Sequence, residues 1–296
     1  MATKATKKKD ASWGFEPGTD VGNGRAAVRA LGGGERYEAW LGWDDHLVSP
    51  VVLKMIRPDQ VDDPRARTAT AREAEILGSL AHPGIVRCFG ADLDGERPYL
   101  VLEFLDGPRL STLIRRYGPL SHEQLVPLAT ELGSALAYLH HTGRVHLDVK
   151  PQNLIMGAPP RLIDLSIARR IDEVSLLRGP LGTDAYMAPE QCAVELLPTI
   201  GPATDVWGLG ATLYEAANGH RPFPKRGPDD PYPQLTDLPK PFHPRVPKVI
   251  RDAIAWCLEP EPAERPTMGQ LMEAFEDLHE DARDEAMRRL RRRVRW

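Results

Sequence analysis

The sequence predicts an α+β fold: a small β-rich lobe with one helix, followed by a larger, mainly helical lobe. Three observations predict it. Five short runs of strand composition lie between residues 25 and 105, one long helical segment interrupts them, and apolar spacing turns helical after "DGP" at 106–108. The strand runs are "AAVRALG", "YEAWLGW", "PVVLKMI", "IVRCFGAD" and "PYLVLEFL", rich in β-branched and aromatic residues. The helix is "PRARTATAREAEILGSLA", with Ala71, Ala74, Ile76, Leu77 and Leu80 as its expected apolar face and "HPG" as its stop.

The second lobe opens on "SHEQLVPLATELGSALAYLHHTG", with Ser121 as expected N-cap and Gly143 at the end. Short strands are expected around "RVHL" and "RLIDL". Helices resume in "PATDVWGLGATLYEAANG", "PKVIRDAIAWCLE" and "TMGQLMEAFEDLHE", the last starting with a Thr-x-x-Gln capping box. The boundaries expected are a disordered basic tail over 1–20, lobes over 21–105 and 106–280, and an Arg-rich tail over 281–296. Clefts between lobes of this kind are favoured ligand sites.

Bulk properties narrow the function. The chain has 296 residues, 42% hydrophobic and 27% charged, and a net charge of −4. Four lysines within residues 1–10 and seven arginines within 282–296 leave the body between them acidic. A nucleic-acid-binding fold would need a basic face on the body itself. Cys88, Cys192 and Cys257 are too scattered for a disulfide framework or a close-spaced metal motif. The first ten residues lack the apolar stretch of a secretory signal, and no run of 18 apolar residues occurs. A cytoplasmic location is therefore expected. The tail "EAMRRLRRRVRW" can form a helix with Met287, Leu290 and Val294 on one face, suited to an anionic membrane surface or an acidic partner, or can be a solvated charge run.

Four constellations carry chemistry. In "LGGGERYEAW", Gly32 and Gly34 sit at a strand-to-strand turn where backbone N–H groups can approach phosphate; alone, a simple hairpin accounts for them. No G-x-x-x-x-G-K-[ST] run exists. Lys54 of "VVLK" shares a strand face with Val52, and Glu73 of the helix could hold its charge by an ion pair. The loop "VHLDVKPQNL" sets Asp148, Lys150 and Asn153 at fixed spacing, and Pro151 argues against helix there. Asp164 ends the strand "RLID", and a carboxylate joined with the Asn153 amide makes a hard-oxygen site suited to Mg²⁺. Asp148 is then free to orient a hydroxyl and take its proton. Each element alone has an ordinary structural explanation; their joint order does not.

That order resembles the protein-kinase signature set, and residues from about 25 to 280 are similar to a bacterial-type, actinobacterial-like serine/threonine protein kinase catalytic domain. The resemblance implies a bilobal protein-kinase-like fold, ATP and Mg²⁺ (or Mn²⁺) as cofactors, and protein substrates with Ser or Thr acceptors. It implies that Gly32, Gly33 and Gly34 cover the phosphates, that Lys54 holds them with Glu73 as partner, and that Asp148 is the base. Lys150 would steady the γ-phosphate, and Asn153 and Asp164 would bind the metal. Ala39 and Val52 would sandwich adenine, with Leu102 as gatekeeper and Glu103 and Leu105 offering backbone groups. Glu190 is expected to pair with Arg265, Asp205 to anchor the catalytic loop, and Thr183 with Lys150 to favour Ser/Thr substrates. Ser175 or Thr183 could be autophosphorylated.

The departures matter as much. Tyr37 stands where a third glycine is usual and is expected to stiffen and crowd the phosphate loop. Ala39 and Val52 exchange the family's usual Val and Ala, a swap that conserves volume. "DLS" replaces Asp-Phe-Gly, so Ser166 lacks glycine's access to positive φ. Leu147 takes the place of an arginine that pairs with a phosphorylated activation loop, which predicts activity independent of that phosphorylation. A pseudokinase scaffold, motivated by Tyr37 and Ser166, is the rival reading; a purely structural α+β protein is the third.

Overall fold

Alternation of side chains decides how the first half of the chain folds. In the computed structural model, which describes residues 11–193, 200–224, 227 and 231–275, six strands pair antiparallel in the order β1-β2-β3-β4-β6-β5. They are β1 (Asp20–Gly22), β2 (Arg25–Gly33), β3 (Tyr37–Asp44), β4 (Ser49–Ile56), β5 (Cys88–Asp92) and β6 (Tyr99–Glu103). Trp40 on β3 and Val51, Leu53 and Met55 on β4 alternate onto one face and build its core.

Residues 11–19 are not the disordered tail expected of 1–20. Trp13 and Phe15 pack on that same core face, and the Trp13 indole donates to the Ile56 carbonyl at 2.9 Å. Two aromatic rings in a polar stretch were the available signal.

Helix α1 (Pro64–Gly78) starts with Pro64 behind Asp63, whose carboxylate accepts from the Arg65 N–H at 2.9 Å. Its buried face is Ala66, Thr70, Glu73, Ile76 and Leu77, which corrects the expected face: Ala71 is exposed and Ala74 and Leu80 only half-buried. Polar residues can take buried positions when their groups are satisfied. The Thr70 hydroxyl donates to the Ala66 carbonyl at 2.8 Å, and Glu73 is met by a lysine. The helix also stops before "HPG", at Ser79, whose hydroxyl closes on the Ile76 carbonyl at 2.7 Å.

The chain divides into two units, one running to Ala81 and including Val86–Leu105, the other comprising His82–Ile85 and the chain from Asp106. Ile85 belongs with the second because it bridges Leu162, whose N–H donates to the Gly84 carbonyl. That unit holds α2 (Leu110–Tyr117) and α3 (His122–His141). The Ser121 N–H donates to the Gln124 side chain at 3.0 Å, and Gly143 (φ 75°) follows the end of α3. Short strands β7 (Arg144–Val145), β8 (Leu154–Ile155), β9 (Arg161–Leu162) and β10 (Arg169–Arg170) pair as β7 with β10 and β8 with β9. Then come α4 (Pro189–Cys192), α5 (Pro202–Asn218), α6 (Lys248–Cys257) and a helix over 268–275 opened by reciprocal Thr267–Gln270 hydrogen bonds.

Helix α5 is apolar nearly all round and correspondingly buried, so it forms the centre of the unit rather than a surface helix. Leu209, Leu213 and Tyr214 from α5 join Leu128, Leu132 and Leu136 from α3 and Ile254 from α6 in one core. Among the described residues, no helix is long and apolar enough to cross a membrane. The basic runs 1–10 and 281–296 lie outside the described residues, as does the surface contact expected of the arginines.

Candidate active site

In the sheet unit, strand register sets the site. Ala39 lies opposite Lys54, and Val52 lies opposite Leu102, so Ala39, Val52, Lys54 and Leu102 share the face turned away from the Trp13 side. Lys54 Nζ reaches both Glu73 carboxylate oxygens, at 2.8 and 2.7 Å, and Glu73 is fully buried. A charge-assisted pair this close fastens α1 to the middle of β4. Gly32 (φ 118°) and Gly33 end β2, and the Gly34 N–H closes the turn onto the Tyr37 carbonyl at 2.8 Å. Gly33 must be glycine, because an added Cβ would collide with that carbonyl and with the Glu38 Cα. At the end of β6, the Glu103 N–H donates to the Arg87 carbonyl at 2.9 Å; Leu105 follows, half-buried.

Tyr37 does something other than crowd the turn. Its ring lies under Lys54, with Nζ 5.2 Å from the centroid, and its hydroxyl donates to the Ala66 carbonyl of α1 at 3.3 Å. Burial pushes the Tyr37 hydroxyl pKa up, against a hydrogen bond with Thr70 and the Lys54 charge. It is a wedge beside the ion pair.

In the helical unit, the Asp148 loop is tightly wired. Asp148 accepts from Lys150 Nζ at 2.6 Å, from the Thr183 hydroxyl at 2.7 Å and from the Asn153 amide at 3.1 Å. Lys150 also donates to Thr183 at 2.6 Å, and Asn153 to the Asp148 carbonyl at 3.0 Å. A carboxylate has about four acceptor positions, so one remains for an incoming hydroxyl. Both Asn153 bonds use the amide nitrogen, which leaves its oxygen for a metal. The Asn153 carbonyl receives the Ile163 N–H at 2.9 Å, tying the loop to the residue before Asp164. Among the described residues there is no cluster of three or more His, Cys, Asp or Glu side chains placed for a metal. An amide–carboxylate pair nonetheless fits Mg²⁺, which takes few protein ligands and leans on substrate oxygens.

Below the loop lies Asp205 of α5. It accepts the N–H groups of His146 and Leu147, each at 2.8 Å, and faces His140 Nε2 at 2.8 Å. Burial opposes its charge, but His140 and these hydrogen bonds overcome that and hold the carboxyl below its ordinary pKa. A depressed folded pKa stabilises above the unfolded value and is lost as pH falls through the folded one. Asp205→Asn is therefore expected to be less stable at pH 7, with the gap to wild type narrowing below about pH 4. Urea titrations across pH would show it; a constant gap would contradict it.

Two positions resolve the motif's oddities. Positive φ falls on Asp164 (66°) and not on Ser166, so the backbone does not require glycine at 166 in this state. Leu147, also at positive φ (67°), buries its side chain with Val145, Val174 and Ile200, against which Ile167, Leu177 and Leu181 pack. Glu190 and Arg265 pair at 2.7 and 2.9 Å with both side chains wholly buried.

A sheet that pins a lysine to a helix glutamate, and a helical unit presenting Asp-x-Lys-x-x-Asn with a nearby strand-end Asp, define the phosphoryl-transfer fold of the protein-kinase class. The chain belongs to the protein kinase domain family, whose model matches residues 26–275. It is 34% identical over 226 residues to the probable serine/threonine-protein kinase PkwA of Thermomonospora curvata, covering 75% of this chain and 30% of that protein. It is 31% identical over 247 residues to serine/threonine-protein kinase PknA of Mycobacterium tuberculosis, covering 80% and 57%. With PknB of Mycobacterium leprae the identity is 32% over 202 residues, covering 65% and 32%. The chain thus spans from under a third to just over half the length of these relatives.

Proposed function

We propose that this domain is an active Mg²⁺/ATP-dependent serine/threonine protein kinase. The observation that carries it is the Asp148–Lys150–Thr183 set, wired with one acceptor position of Asp148 left over. Asp148 orients the substrate hydroxyl and takes its proton. Lys150 spends two of its three N–H donors on Asp148 and Thr183 and directs the third to the γ-phosphate. Lys54, held by Glu73, steadies the α- and β-phosphates beside the glycine turn, and Ala39, Val52, Leu102 and the backbone of Glu103 and Leu105 receive adenine. Asn153 and Asp164 would hold Mg²⁺, which when bound would neutralise charge on the phosphate oxygens. Unpaired Cys88, Cys192 and Cys257 suit a reducing compartment, and we assign the domain to the cytoplasm.

Activity, on this reading, is independent of activation-loop phosphorylation. Leu147 supports that: apolar packing with Val174, Leu177 and Leu181 holds the segment after Asp164 where a phosphate–arginine pair would otherwise do so. Phosphatase-treated protein given Mg²⁺, labelled ATP and a basic protein substrate is expected to transfer label without a lag, and Asp148→Asn to transfer almost none. A lag that ends as the loop becomes phosphorylated would overturn the regulatory reading. Nucleotide binding with no transfer would favour the scaffold instead.

A further inference from the structure

The glycine turn is held from outside the signature motifs. Arg57, directly after β4, grips both limbs of the turn: its Nε donates to the Gly34 carbonyl at 2.7 Å and its backbone N–H to the Arg36 carbonyl at 3.0 Å. The same guanidinium donates to the Ala11 carbonyl at 2.8 Å and contacts Glu38 at 3.4 Å. Arg57 and Glu38 side chains are only 12% and 6% exposed, so this is no loose surface pair.

Glu38 in turn accepts from the Trp13 N–H and the Trp40 indole, each at 3.0 Å. Trp13 adds its indole bond to the Ile56 carbonyl, two residues past Lys54. Phe15 meets Trp40 edge-on at 5.1 Å, and the Arg97 guanidinium lies over the Trp13 and Phe15 rings at 5.5 and 5.4 Å. Residues 11–15 are therefore a strap across the sheet, and Arg57 joins the strap to the turn.

We propose that Arg57 and Trp13 are positioning residues for the nucleotide: they hold the glycine turn in its binding shape, so that docking of the strap sets ATP affinity. This rests on the kinase reading above. A turn whose Gly34 and Arg36 carbonyls are already engaged holds its shape without an ordering cost at binding. Lysine cannot replace Arg57, because a single ammonium lacks the planar fork that reaches Gly34, Ala11 and Glu38 together.

The test uses the full chain as wild type, Arg57→Ala, Arg57→Lys and Trp13→Phe, the last keeping an aromatic ring while removing the indole donor. Calorimetric binding of a non-hydrolysable ATP analogue with Mg²⁺ is measured beside KM and kcat, thermal melting, and amide exchange at Gly32–Gly34. Both Arg57 variants are expected to bind about tenfold more weakly, the scale of one charge-assisted hydrogen bond. Trp13→Phe should move the same way, KM should change more than kcat, and amide exchange in the turn should quicken without nucleotide. Variants that melt earlier yet bind and exchange like wild type would overturn the clamp alone. Wild-type protein that binds no nucleotide would overturn the kinase reading and the clamp with it.

Discussion

Replacing Lys54 by methionine is expected to lower turnover at least about 10²-fold, the scale of deleting one preorganised electrostatic group. Methionine approximates the length of the lysine stem, so the strand register of β4 between β3 and β6 can persist. What goes is the ammonium, 2.7 Å from a glutamate with no solvent exposure, and with it the tether of α1. The Tyr37 ring also loses the cation 5.2 Å above it. Initial rates on protein with an unchanged far-UV spectrum make the measurement. Wild-type turnover from folded Lys54→Met would remove the role given to this residue.

The largest stability effect is expected at Arg265. Its five N–H groups are all used: on Glu190 at 2.7 and 2.9 Å, and on the carbonyls of Ala203, Pro260 and Glu259 at 3.0, 2.9 and 2.7 Å. Its guanidinium also lies 5.0 Å from the Trp207 ring centroid. One side chain thus joins α4, the first turn of α5 and the loop after α6. Arg265→Ala leaves the buried Glu190 carboxylate without its cation, which is expected to cost about 3–5 kcal/mol, the range for breaking a buried pair. Glu190 keeps the Thr204 hydroxyl at 2.8 Å, but a neutral donor does not replace a charge. Denaturant unfolding checks it, and a loss under about 1 kcal/mol, the scale of an exposed pair, would contradict it.

Burial also separates what could be read early from what could not. The Asp148, Lys150 and Asn153 spacing was legible because a short loop with a proline leaves little freedom, and their mutual hydrogen bonds are local in the chain. Lys54 was legible because strand alternation fixes which face it shares with Val52. The buried face of α1 is not legible from its apolar residues alone. Thr70 and Glu73 are polar, yet each is buried against a partner.

Chain order and local spacing by themselves determined the lobe types, the family resemblance and the candidate chemical groups, because helix and strand periods and loop stiffness are short-range properties. Tertiary structure alone decided three things that lie between distant residues. Tyr37 turns its ring to Lys54 and its hydroxyl to α1. Leu147 meets Val174 and Leu181 in an apolar cluster. Trp13 and Ala11 reach Arg57 and Glu38 across more than twenty residues of chain. Each depends on which surfaces exclude water together, a choice made only when the sheet and the helical unit each form a core.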